Sequence, residues 1–129
     1  MKPISVLLVD SNPIFVNMLT EYFFELDTND LSLIGSATRF DDSVRLVSLL
    51  QPDIILHDLG LPGLTGLPSM SALRRLLPPA GIIALTLLNS QRHRGAAIYA
   101  GADEIIDKAD VFFGVVPLIE KVHQSKFVN

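Results

Sequence analysis

Four short stretches of this chain carry residue types that phosphate chemistry uses: Asp10-Ser11, His57-Asp58, Thr86 and Lys108. An aspartate carboxylate can attack phosphorus and form an acyl phosphate. The transferred group is anionic, so a bare carboxylate repels it. Magnesium answers that repulsion by bridging carboxylate and phosphoryl oxygens, the hard ligands it prefers. Lysine sets a compact cation against the phosphate, and a threonine hydroxyl can donate to a phosphoryl oxygen. Two aspartates sharing one site repel each other unless a cation stands between them. That is a second reason to expect a metal beside Asp10 and Asp58. The condition is that all four stretches reach one crevice.

The elements around them meet that condition on paper. Apolar runs at 4–9, 54–56 and 82–85 read as strands, with a partly polar strand at 31–34 and a short one at 105–106. Helices fall between them. Asn12-Pro13 reads as an N-cap followed by proline in the first turn. Phe15, Met18, Leu19, Tyr22, Phe23 and Leu26 then recur at helical spacing. Asp41 or Asp42 is expected to cap a second helix bearing Val44, Val47 and Leu50, which Pro52 ends. A third helix is read at 73–77, stopped by Pro78-Pro79. A fourth at 90–100 is closed by Gly101. The last is read at 115–122, starting late or kinking at Pro117.

Strand–helix alternation predicts an α/β fold with a parallel sheet and helices on both faces. The first, third and fourth strands are continuously apolar, as strands buried on both faces should be. The second and fifth carry polar residues, as edge strands can. A five-stranded sheet in 2-1-3-4-5 order satisfies this, the flavodoxin-like arrangement. Ligands bind such sheets beyond the carboxyl ends of the strands. Asp10, Asp58, Thr86 and Lys108 all lie at or just past those ends.

The segments Val6-Leu7-Leu8-Val9-Asp10, Pro52 through Gly63 (PDIILHDLGLPG) and Gly101-Ala102-Asp103 with Lys108 resemble the receiver domains of two-component response regulators. The resemblance covers nearly all of residues 1–129 and implies one receiver domain. Its middle segment is the most specific, with the aspartate, Leu61-Pro62-Gly63 and Gly66 in register. Ala109-Asp110 after Lys108 is more similar to receivers joined to LuxR-type helix-turn-helix domains. The resemblance implies that Asp58 is the phosphoacceptor, charged by a histidine kinase. It implies that Asp10, Asp58 and the backbone carbonyl of Gly60 hold Mg2+, and that Thr86 and Lys108 contact the phosphoryl group. It also implies a change of partner affinity on the face built by the fourth helix, fifth strand and fifth helix. Such a module is regulatory and catalyses only its own phosphorylation and dephosphorylation. An output domain, as in transcription regulators, would lie beyond the C-terminal end of this chain.

Three positions depart from the family pattern. Ser11 stands where a second acidic residue usually contacts magnesium, and a neutral hydroxyl is a weaker ligand for a hard cation. Ile105 stands at the position of the aromatic switch residue. Pro117 falls inside the final helix. Two readings stay open: a receiver phosphorylated with weakened magnesium dependence, and an atypical receiver acting as a protein-interaction module. Each residue also has a plainer role. Asp10 and Asp58 can cap turns, Thr86 can be a β-branched strand end, and Lys108 a solvated lysine. His57 reads as a packed or hydrogen-bonded histidine, and Arg92-His93-Arg94 as a solvated helix start.

Two other classes share features. A haloacid-dehalogenase-type phosphatase also opens with an aspartate after its first strand, but needs a second one two residues later, where Asn12 stands. A flavodoxin-like carrier would cradle a flavin phosphate after strand one, where Asp10 would repel it.

Composition narrows the field further. The 129 residues suit one domain. The absence of cysteine excludes disulfides and zinc–cysteine sites and fits a cytoplasmic protein. A net charge of -4 argues against direct contact with nucleic acid or an anionic membrane, and no stretch reads as a membrane span. Charged residues make up 19% of the chain, against about 25% in an average domain. Either an apolar face is covered, a homodimer being one way, or the core is large.

Overall fold

Alternation along each strand sorts its side chains between two cores. The computed structural model describes residues 2–60, 65–87 and 90–127. In it β1 (Ile4–Val9), β2 (Leu31–Ala37), β3 (Ile54–Asp58), β4 (Gly81–Thr86) and β5 (Glu104–Asp107) form one sheet in the order β2-β1-β3-β4-β5. Every pairing is parallel. The order is the expected one, with β2 and β5 at the edges.

Val6, Leu8, Ile54, Leu56, Ile83, Leu85 and Ile106 point to one face. There they meet Phe15, Val16, Leu19 and Phe23 of α1 (Pro13–Glu25) and Val111, Val115, Ile119 and Val122 of α5 (Val111–Phe127). Leu7, Val9, Ile55, Ile82, Ala84 and Ile105 point to the other. They meet α2 (Phe40–Leu50), α3 (Gly66–Leu76) and α4 (Ser90–Ala100). A period of two, covered on both faces, makes β1, β3 and β4 apolar throughout.

Several boundaries differ from the sequence reading. α1 starts as expected: Asn12 Oδ1 accepts from the N–H groups of Ile14 and Phe15, and Pro13 opens the helix. Met18 is half exposed rather than core, because the helix turns its Val16–Leu19–Phe23 stripe inward. α2 is not capped by Asp41 or Asp42. Its N-cap is Arg39, which makes no side-chain capping bond, and both aspartates lie in the first turn. There they face the positive end of the helix dipole. α3 begins at Gly66, well before residue 73, because Gly66 and Pro68 in its first turn read as helix breakers although Leu67, Met70 and Leu73 recur at helical spacing. α5 begins at Val111 and carries Pro117 within it. The short 3-10 turn Lys108–Asp110 leads straight into it.

Leu61-Pro62-Gly63, part of the family-like middle segment, lies outside the described residues. So do Val128 and Asn129 of the tail. No helix among the described residues is long and apolar enough to cross a membrane.

Candidate functional site

The alternation that builds the core also aims the charges. Asp10 continues the parity of Val6 and Leu8, Asp58 that of Ile54 and Leu56, and Lys108 that of Ile106. All three therefore emerge on the α1/α5 side at the carboxyl rim of the sheet. Lys108 Nζ lies 2.7 Å from Asp10 Oδ2 and 3.2 Å from Asp58 Oδ1. The ring of Phe15 sits 4.4 Å from the same ammonium and holds it by a cation–π contact. Lys108 is thus paired and largely buried, not solvated.

Asp10 is 1% exposed. Its Oδ1 accepts from the Asn12 N–H at 2.9 Å. Its Oδ2 has the Lys108 charge beside it but no hydrogen bond of good geometry among the described residues. Burial pushes the Asp10 carboxyl above the usual carboxylate range, and the negative charge of Asp58 adds to this. The Lys108 ammonium and the Asn12 N–H pull it back. Two carboxylates thus share one ammonium, and the pair has room in its charge balance for a cation.

Asp58 lies between two clefts. One, of about 190 Å³, is walled by Asp10, Ser11, Arg39, Phe40, His57, Gly60, Thr65 and Ser69, among others. The other is walled by Ser11, Asn12, Leu87 and Lys108. Gly60 adopts φ +81°, a left-handed turn that favours glycine. A β-carbon there would meet Thr65 Oγ1 at 2.4 Å. At Gly66 a β-carbon would meet the Asp58 carbonyl oxygen at 2.2 Å. The chain after Asp58 therefore folds back on itself, tied by the Gly66 N–H to the Leu59 carbonyl at 2.6 Å.

His57 has the opposite parity and is buried. Its Nδ1 lies 2.7 Å from the Asp58 carbonyl oxygen and its Nε2 2.6 Å from Ser69 Oγ. A carbonyl only accepts, so Nδ1 carries the proton and Nε2 accepts from Ser69. Burial lowers its pKa, while the Asp58 carbonyl and the Asp58 charge raise it. It is the packed, hydrogen-bonded histidine that the sequence suggested. Thr86 is buried at the end of β4, in register with Asp107. It lines neither cleft around Asp58. Asp107 instead accepts from Ser90, N–H at 3.0 Å and hydroxyl at 2.9 Å, and so anchors the start of α4. Arg39, Thr65 and Ser69 escaped the sequence reading, since no motif or period marks a cleft wall supplied by the start of α2 and the first turns of α3.

The donors that could hold a metal are all oxygens: the carboxylates of Asp10 and Asp58, the Gly60 carbonyl and the Ser11 hydroxyl. Among the described residues no three His, Cys, Asp or Glu side chains are grouped to hold an ion. Protein carboxylates supply at most two ligands here. That suits magnesium, which keeps several waters.

The family model described as the response regulator receiver domain matches residues 6–111. The chain is 37% identical over 113 residues to protein-glutamate methylesterase/protein-glutamine glutaminase 3 of Myxococcus xanthus, covering 85% of this chain and 31% of that protein. It is 28% identical over 102 residues to the nitrate/nitrite response regulator protein NarL of Escherichia coli K12, covering 79% and 46%. The chain therefore spans less than half the length of these two relatives. In fold it is similar to a two-component response regulator of the LuxR family from Aurantimonas sp. SI85-9A1, with a TM-score of 0.83 at 24% identity over 96% of this chain and 87% of that one.

Proposed function

The chain belongs to the response regulator receiver domain family, and on that premise we propose that it is a phosphoacceptor module, one receiver unit spanning residues 1–129, with Asp58 as the acceptor. The observation that carries this reading is the bridging of Asp10 and Asp58 by Lys108 at one sheet rim. The phosphoryl donor is a histidine kinase. An Asp58 carboxylate oxygen attacks phosphorus, the bond from phosphorus to the kinase imidazole breaks, and the electron pair leaves with the ring nitrogen. Lys108 offsets the charge that develops, and Phe15 keeps its ammonium in place. Asp10, Asp58 and the Gly60 carbonyl would hold Mg2+, which supplies charge neutralisation to the transferring group. Thr86 takes a phosphoryl oxygen after transfer, which requires its side chain to turn toward Asp58.

The module is regulatory and acts on no separate substrate. A cytoplasmic setting, an output domain beyond residue 129 and a homodimer of receivers belong to the same proposal. NarL is named as a response regulator, and an output of that kind would control transcription.

The test is incubation with acetyl phosphate and MgCl2, read by intact mass. Wild type should gain one phosphoryl mass and Asp58→Asn none. No gain in wild type, where an ordinary receiver is labelled, rejects the reading. A second reading, a protein-interaction module with little phosphorylation, is favoured by the uncharged Ser11 in the cleft and by buried, aliphatic Ile105. That result would support it.

A further inference from the structure

Of the two clefts beside Asp58, one has Lys108 in its wall and the other, of about 190 Å³, has Arg39; among the described residues that second cation is uncommitted. Lys108 is held by both carboxylates. Arg39 lines the cleft with Asp10, Ser11, Asp58 and Gly60, and has no ion-pair or hydrogen-bond partner for its side chain among the described residues. Of the two acids in the first turn of α2, Asp42 is committed to Arg45 at 2.9 Å, and Asp41 makes no pair with Arg39.

The sheet sets where Arg39 stands. Val9 pairs with Ala37, and the Asp10 N–H donates to the Ala37 carbonyl at 2.9 Å. β1 and β2 thus leave the sheet side by side, and Ser11 and Arg39 each lie two residues past that last pair. Ser11 brings no charge to this rim; across from it, Arg39 brings a positive one. Asp10 and Asp58 carry two negative charges against the single one of Lys108. A phosphoryl group on Asp58 raises the demand further, since it carries about −2 where the carboxylate carried −1. A guanidinium fork matches two phosphoryl oxygens at once.

We propose that Arg39 is a phosphoryl-binding residue: its side chain closes over the cleft and takes two oxygens of the group transferred to Asp58, so that transfer proceeds at low magnesium. The proposal rests on Asp58 being the phosphoacceptor. With acetyl phosphate the bond from Asp58 oxygen to phosphorus forms as the phosphorus–oxygen bond to acetate breaks. The electron pair leaves with acetate, and Arg39 exchanges no proton.

Arg39→Gln and Arg39→Lys test it, compared with wild type over a range of acetyl phosphate at several MgCl2 concentrations and in EDTA. Arg39 makes no capping bond, so the variants should melt as wild type does. Arg39→Gln should raise the half-saturating acetyl phosphate concentration about tenfold, the low end of what losing hydrogen bonds to a charged group costs, and most at the lowest magnesium. Arg39→Lys should fall between. An Arg39→Gln protein with wild-type half-saturation and wild-type magnesium dependence overturns the proposal. If wild type gains no phosphoryl mass, the phosphoacceptor reading fails separately. Inorganic phosphate, titrated against the amide signals of Asp10, Asp58 and Gly60, then decides on Arg39. Saturable shifts weakened by Arg39→Gln support it. Shifts absent from wild type, or unchanged in the variant, overturn it.

Discussion

His57 ties the backbone of the acceptor residue to α3, donating to the Asp58 carbonyl and accepting from Ser69. Its neutral form is part of the fold, because burial opposes the charged ring. The sign of the pH effect follows. With the folded pKa below the unfolded value near 6.5, the unfolded chain binds more protons in mild acid. The stabilisation is fully present above pH 6.5 and is lost as pH falls below it. His57→Leu should cost about 1 kcal/mol at pH 7.5, since it removes hydrogen bonds to two partly buried partners. It should also show a flatter fall in melting temperature between pH 7 and pH 5 than wild type. Parallel pH profiles for the two proteins would contradict this. Asp10 has the reverse sign: its raised pKa makes ionised Asp10 a cost to the fold, which a bound cation would relieve.

At the level of elements, two helical glycines with opposite surroundings make a paired test. Gly66 opens α3 under the Asp58 carbonyl, with Leu59 backbone atoms also within 3 Å of where a β-carbon would stand. Backbone cannot yield as a flexible side chain can. Gly66→Ala should destabilise by roughly 1–3 kcal/mol through overpacking and slow labelling of Asp58 by moving its loop. Gly95, inside α4, has nothing within 4 Å of that position. Gly95→Ala should stabilise by about 0.5–1 kcal/mol from backbone entropy alone. Urea unfolding of both variants checks the signs. Helical periodicity does not tell the two glycines apart; in the sequence only the family resemblance singles out Gly66. What separates them is the return of the chain after Asp58, and that is a tertiary fact. Asn12-Pro13 was legible because a cap is a local contact. The start of α2 at Arg39 was not, because no side chain caps it.

Across the whole molecule, the two ends of the sheet do different work. At the amino end of β5, Asp103 accepts from Arg74 of α3 at 2.8 Å and from the Ile82 N–H at 2.8 Å, and pairs with Lys126 of α5 at 3.0 Å. One carboxylate thus links helices on opposite faces of the sheet. Arg74 is held further by the carbonyls of Gly101, Pro78 and Ala80. Asp103→Ala should lower unfolding free energy by about 2 kcal/mol, the cost of stranding charged partners. The acetyl phosphate labelling rate should stay at the wild-type value, because Asp58 lies at the other end. A matching loss of labelling in a folded variant would show that the two ends are coupled.

Local periodicity alone determined the α/β class, the edge and central strands, and the positions of Asp10, Asp58 and Lys108 at strand ends. Each of those features repeats within a few residues. The pleat even assigns the three charges to one face once the strands are placed. Tertiary structure decided the rest: that Lys108 is shared by two carboxylates, that Phe15 covers it, and that Arg39, Thr65 and Ser69 wall the cleft. Those contacts join strand ends, loops and first helical turns whose positions are set by strand pairing far along the chain, and no local period encodes which of them face each other.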